Sequence, residues 1–65
     1  MFPNLRAEMA RKDISQKALS ELIGISRDSF KNKLNGTTEF RLDEMLAIQE
    51  RLGEYSLEYL FKKED

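Results

Sequence analysis

Arg27, Asp28, Lys31 and Asn32 follow a serine, Ser26, within one short helical pattern. Ile25, Phe30 and Leu34 share one side of that pattern, so the four polar side chains fall on the other. Their types suit the edges of bases. Arg27 can donate two hydrogen bonds to a guanine, Asn32 can bond an adenine through two atoms, and Asp28 can accept from a cytosine amino group. Lys31 suits a phosphate or a guanine. Plainer uses compete with this one. Arg27 beside Asp28 can be a surface ion pair of little energetic value. Asp28 can serve only the positive end of the helix dipole, and Asn32 can be simply solvated.

Other chemistry is scarce. The 65 residues include no histidine and no cysteine. Disulfides, thiolate nucleophiles and nearly all zinc sites are thereby excluded. There is no glycine-rich phosphate loop and no isolated pair of carboxylates, which leaves little for an enzyme to work with. We expect no enzyme, no metal and no cofactor. No apolar run approaches the length of a membrane span, and no secretory signal opens the chain. A staple-free fold of this size fits a reducing cytoplasm most simply, and no membrane partner is expected.

The elements that would hold these residues are short helices within one domain over residues 1–65. A domain this small buries only about 60% of the surface its unfolded chain exposes. Helix-favouring residues dominate, Pro3 is the only proline, valine is absent, and no alternating run suggests a strand. We read an all-α fold of five helices. The first starts near Pro3 and ends near Lys12, with Leu5 and Met9 on one face, Ala10 beside them, and Asp13 in the exit turn. The second follows Ser15, carries the stripe Leu19, Leu22 and Ile23, and stops at Gly24. The third follows Ser26 and ends at Asn35-Gly36. The link Gly24-Ile25-Ser26 is too short for antiparallel packing and suits a steep crossing, the helix-turn-helix geometry, here over about residues 15–35. Phe40 anchors the next loop. A fourth helix runs from about Leu42 to Leu52 with Leu42, Met45, Ile48 and Leu52 at helical spacing and Leu46 beside them. The fifth, after Ser56, runs from Leu57 to about Lys62.

Charge is unevenly spread. Residues 1–38 carry a net +3 and residues 39–65 a net −4, within a total of −1. Such asymmetry cues an anionic partner on the basic side, although an uneven solvated surface would read the same way.

The run Ser15-Gln16, Leu19, Ser20, Ile23-Gly24-Ile25, Ser26, Phe30 and Leu34-Asn35-Gly36 resembles the helix-turn-helix of the lambda-repressor-like family, which includes Cro proteins and phage repressors. The closing Ser56-Leu57-Glu58-Tyr59-Leu60-Phe61 looks familial too, and Leu34-Asn35-Gly36 followed by Glu39-Phe40 resembles a phage-associated subgroup. Three positions depart from the pattern. Lys33 stands where an apolar residue is usual, so helix 3 is expected to be rotated or wound differently near its end. Asp13 stands where glycine is common. Arg41 replaces the usual Ser or Thr cap, with Glu44 three residues on as in a capping box. Either Arg41 serves a phosphate or the helix starts one residue later.

The resemblance implies that helix 3 enters the major groove of double-stranded DNA. Phosphate contacts would frame it. The free N–H groups around Ser15, Gln16 and Lys17 can hold an anion, and Gln16 and Asn35 match backbone-contacting positions of the family. Arg11 and Arg41 join that set. With no second domain following in this chain, the expectation is a Cro-like sequence-specific transcriptional regulator. A protein-binding module of the same fold, as an antirepressor or antitoxin would be, is the alternative, and the polar outer face of helix 3 weighs against it. One such helix reads only a few base pairs, so a homodimer on operator half-sites ~34 Å apart is expected. Tyr55, Leu57 and Tyr59 are its candidate contacts, giving only weak association in free solution. The competing arrangement has Leu60 and Phe61 completing the core while the tyrosines cover it.

Overall fold

A computed structural model describes residues 1–64. It has five α-helices and, among the described residues, no strand: α1 (Pro3–Arg11), α2 (Gln16–Ile23), α3 (Arg27–Asn35), α4 (Leu42–Leu52) and α5 (Leu57–Leu60). α2 packs on α3 and α4, while α1 and α4 meet α5.

Local signals account for most boundaries. Ser15, Ser26 and Ser56 each accept a hydrogen bond, all at 3.0 Å, from the backbone N–H three residues on. Each satisfies one of the orphan donors at a helix start. Three helices end in the same way. Asp13, Gly24 and Gly36 take positive φ values of 55°, 74° and 86°. The next residue's N–H then returns to the carbonyl five residues earlier: Ile14 to Met9, Ile25 to Ser20 and Thr37 to Asn32. At Gly24 a Cβ would meet nothing within 4 Å, so the backbone angle alone calls for glycine.

Phe2, Leu5, Met9, Ile14, Leu19, Phe30, Leu34, Phe40, Ile48, Leu52 and Leu60 form the core, with Ile23, Ile25, Met45, Tyr55 and Phe61 packed against it. Phe40 is an anchor, as expected. Its ring lies edge-on to Phe2, Phe30 and Phe61, with centroids 5.4, 5.8 and 5.2 Å away. Phe2 is an addition that its spacing did not signal. It caps α1 in a left-handed conformation, φ 57°, and is 3% exposed.

Several expectations need correction. Leu22, Leu42 and Leu46 are exposed, at 47%, 61% and 47%. They lie at the edges of their helical stripes, and among the described residues no element fully covers those edges. Ala10 is likewise exposed. α5 ends at Leu60 rather than near Lys62. α3 is neither rotated nor rewound: it stays helical to Asn35, with Phe30 and Leu34 fully buried. Lys33 instead turns toward α4. Its Nζ lies 3.1 Å from Glu44 Oε1 and donates to the Glu39 carbonyl at 3.0 Å. Glu44 Oε1 also accepts the Arg41 N–H at 2.9 Å. Arginine has no acceptor to complete a reciprocal box, so one carboxylate serves both the helix cap and Lys33. α4 starts at Leu42, with Arg41 as its extended N-cap residue.

Glu8 is fully buried on α1, beside exposed Ala7 and Arg11. Its Oε2 accepts from Arg11 Nη1 at 2.6 Å and from the Tyr59 hydroxyl at 2.8 Å. Asn4 Nδ2 adds a bond to the Tyr59 carbonyl at 2.9 Å, so α1 and α5 are tied at two points. The Tyr59 hydrogen bond, a looser contact from Tyr55 and the charge of Arg11 hold the Glu8 carboxyl below its ordinary value, against the effect of burial.

Candidate nucleic-acid interface

The N-termini of α2 and α3 open onto one groove, lined by Ser15, Gln16, Lys17, Arg27, Asp28 and Lys31. Three cations against one anion line it, so the groove is net positive. The Ser15 hydroxyl takes the Ala18 N–H, which leaves the N–H groups of Gln16 and Lys17 at the mouth of α2 without helical partners. Ser26 caps α3 in the same manner and fixes where Arg27 and Asp28 stand.

Arg27, Asp28, Lys31 and Asn32 are all exposed. Among the described residues no ion pair joins Arg27 to Asp28, and none of the four side chains is held by a hydrogen bond. An exposed polar row with no internal partner is available to an external one.

The residues expected at phosphates do not all stand together. Ser15, Gln16 and Lys17 stand together in the groove. Asn35 is exposed at the end of α3, with its Oδ1 accepting from Arg6 Nη2 at 2.9 Å. Arg41 is exposed beside Asp43, at 3.5 Å, in a pair of small energetic value. Arg11 stands elsewhere. Its guanidinium is engaged by Glu8 on the side where α1 meets α5, and that pairing raises its pKa. Tyr55 and Tyr59 lie on that same side, and Leu57 is half-buried at the start of α5. Tyr55 and Tyr59 stack with centroids 5.5 Å apart, and Lys12 sits 5.8 Å above the Tyr55 ring. Leu60 is buried and Phe61 half-buried, so the two tyrosines flank the core from outside.

A family model for the Cro/C1-type helix-turn-helix DNA-binding domain matches residues 4–53. The chain belongs to that family. No curated protein and no solved structure is significantly similar to it. The match spans α1 to α4 and includes every groove residue, while α5 lies beyond it. This Cro/C1-type domain is therefore a DNA-binding domain of the regulator type, and its lambda-repressor-like fold agrees with the resemblance carried by Ser15 to Gly36. Among the described residues no helix is long and apolar enough to cross a membrane, and no cluster of acidic side chains is grouped to hold a metal ion. Sequence reasoning missed Arg6. Its link to Asn35 spans 29 positions, and nothing in the local pattern signals it.

Proposed function

We propose that this Cro/C1-type domain is a sequence-specific transcriptional regulator of the phage Cro kind, acting in the cytoplasm on double-stranded operator DNA. α3 lies in the major groove, with Arg27, Asp28, Lys31 and Asn32 at base edges. Ser15, Gln16, Lys17, Asn35 and Arg41 hold the flanking phosphates. One observation carries the reading: the unpartnered polar row of α3 shares a net-positive groove with the open N-terminus of α2. Arg11, drawn to Glu8, is the weakest member of the phosphate set. Two protomers occupy half-sites about one helical turn apart, ~34 Å. Their contact is formed by Leu57 and the outer faces of Tyr55 and Tyr59. The hydroxyl of Tyr59 is spent on Glu8, so that contact is small and the dimer forms on DNA.

Selection of bound sequences from random duplex DNA, at a stated salt concentration, tests this. Wild type should yield a short palindromic motif. Arg27→Ala should cost ~1–3 kcal/mol and relax one base pair per half-site. Gln16→Ala should weaken all sequences alike. An Arg27→Ala protein with unchanged affinity and an unchanged motif would remove Arg27 from the reading set. One protomer per duplex at saturation would remove the dimer.

A further inference from the structure

Arg6 lies on α1, outside the residues expected at DNA, yet it reaches the end of the recognition helix. Its Nη2 donates to Asn35 Oδ1 at 2.9 Å and its Nε to the Met1 carbonyl at 3.2 Å. Arg11, the other arginine of α1, is neutralised by Glu8. No carboxylate holds Arg6 among the described residues, so its positive charge is uncompensated and exposed.

Two consequences follow from this geometry. An asparagine amide can face either way round, and a donor on its oxygen fixes the choice. With Oδ1 held by Arg6, the Asn35 NH2 points away from α1, and no hydrogen bond engages it among the described residues. Arg6 also borders a second groove, with Met9, Ile14, Ser15, Gln16 and Leu34. That groove shares Ser15 and Gln16 with the one holding Arg27 and Lys31. One continuous face thus runs from Arg6 past the start of α2 to the start of α3.

We propose that Arg6 and Asn35 form a clamp on a single DNA backbone phosphate, Arg6 supplying the charge and aiming the Asn35 NH2 at the same oxygens. The proposal rests on the DNA-binding reading above. Arginine suits the task because its planar fork can serve Asn35 and a phosphate together. Lysine, a single charged nitrogen, serves one of them at a time.

The test is duplex affinity between 50 and 200 mM salt for wild type, Arg6→Gln, Arg6→Lys, Asn35→Ala and the Arg6→Gln/Asn35→Ala double variant. Each is first checked for wild-type helicity and melting. Glutamine keeps a donor for Asn35 without the charge, so Arg6→Gln retains the fold. It should lower affinity about tenfold and reduce the slope of log K against log salt by about 0.9, the share of one phosphate. Arg6→Lys should restore the slope but not the full affinity. Asn35→Ala should cost several-fold in wild type and less after Arg6→Gln.

Wild-type slope and affinity in Arg6→Gln would overturn the charge contact. An equal cost of Asn35→Ala in both backgrounds would overturn the shared phosphate. Wild type that binds no duplex at any salt would overturn both this proposal and the DNA reading. A wild type that binds and selects a motif, beside an Arg6→Gln that keeps its affinity and slope, would overturn the clamp alone.

Discussion

Replacing Lys33 with methionine keeps the length of the side chain and removes the charge that faces Glu44. The Lys33 Nζ and Glu44 Oε1 are 3.1 Å apart, with the side chains 14% and 9% exposed. At an effective dielectric constant near 20, two unit charges at that distance attract by about 5 kcal/mol. Desolvation of both groups opposes this, as does about 2 kcal/mol of lysine rotamer freedom. Losing one partner of a fully buried pair costs about 3–5 kcal/mol, and of an exposed pair about 0–1. Glu44 would still accept the Arg41 N–H and touch some solvent, so Lys33→Met should cost about 2–3 kcal/mol. A single core of this size rarely supplies more than about 3–5 kcal/mol, so the variant should lose roughly half its stability. Urea unfolding followed by far-UV circular dichroism measures it, with an unchanged slope in urea showing that the change is in stability. Glu44→Gln keeps an acceptor for Arg41 and removes the stranded charge. Adding it to Lys33→Met should recover at least ~1 kcal/mol, read as the coupling in a double-mutant cycle. A Lys33→Met loss under ~0.5 kcal/mol, or a coupling under ~0.5 kcal/mol, would refute the account of Lys33 as the ionic link between α3 and α4.

Ser26→Ala removes the cap of the recognition helix and should cost about 1 kcal/mol in the same urea assay; unchanged stability would show that the hydroxyl is idle. Gly24→Ala has open space for its Cβ but φ 74°, so it should lose about 1–2 kcal/mol, and a loss under ~0.5 would contradict the backbone argument. The Glu8 pKa is held below 4.5, first by Tyr59, so its stabilising effect is present above that value and is lost as pH falls through the lowered one. Tyr59 is raised above 10.0 chiefly by its hydrogen bond to Glu8, and Tyr55 by its looser contact with the same carboxylate, so their contribution is present below 10 and is lost as pH rises through the raised values. Tyr59→Phe should move the acid midpoint of unfolding to higher pH in a titration followed by circular dichroism; an unmoved midpoint would sink the Glu8–Tyr59 link.

What the sequence determined alone is what acts within a few residues along the chain. Ser15, Ser26 and Ser56 set helix starts, and Asp13, Gly24 and Gly36 set exits, because a cap bonds backbone three to five residues away. The outward row Arg27, Asp28, Lys31 and Asn32 was legible for the same reason, since helical pitch alone opposes it to Phe30 and Leu34. Tertiary structure decided what periodicity leaves open, namely which element faces a given stripe. Leu22, Leu42 and Leu46 carry the right spacing, yet about half or more of each stays exposed among the described residues. Glu8 reads as a surface residue until Tyr59, 51 positions away, arrives to donate to it. Lys33 looked like a distortion of α3 until Glu44 stood opposite, and nothing local to Arg6 signals the bond it makes to Asn35 at the end of α3. A buried charge is tolerated only where its partners converge. In this chain local partners, Arg11 for Glu8 and the Arg41 N–H for Glu44, are completed by Tyr59 and Lys33 from other helices, which only the packed arrangement brings into reach.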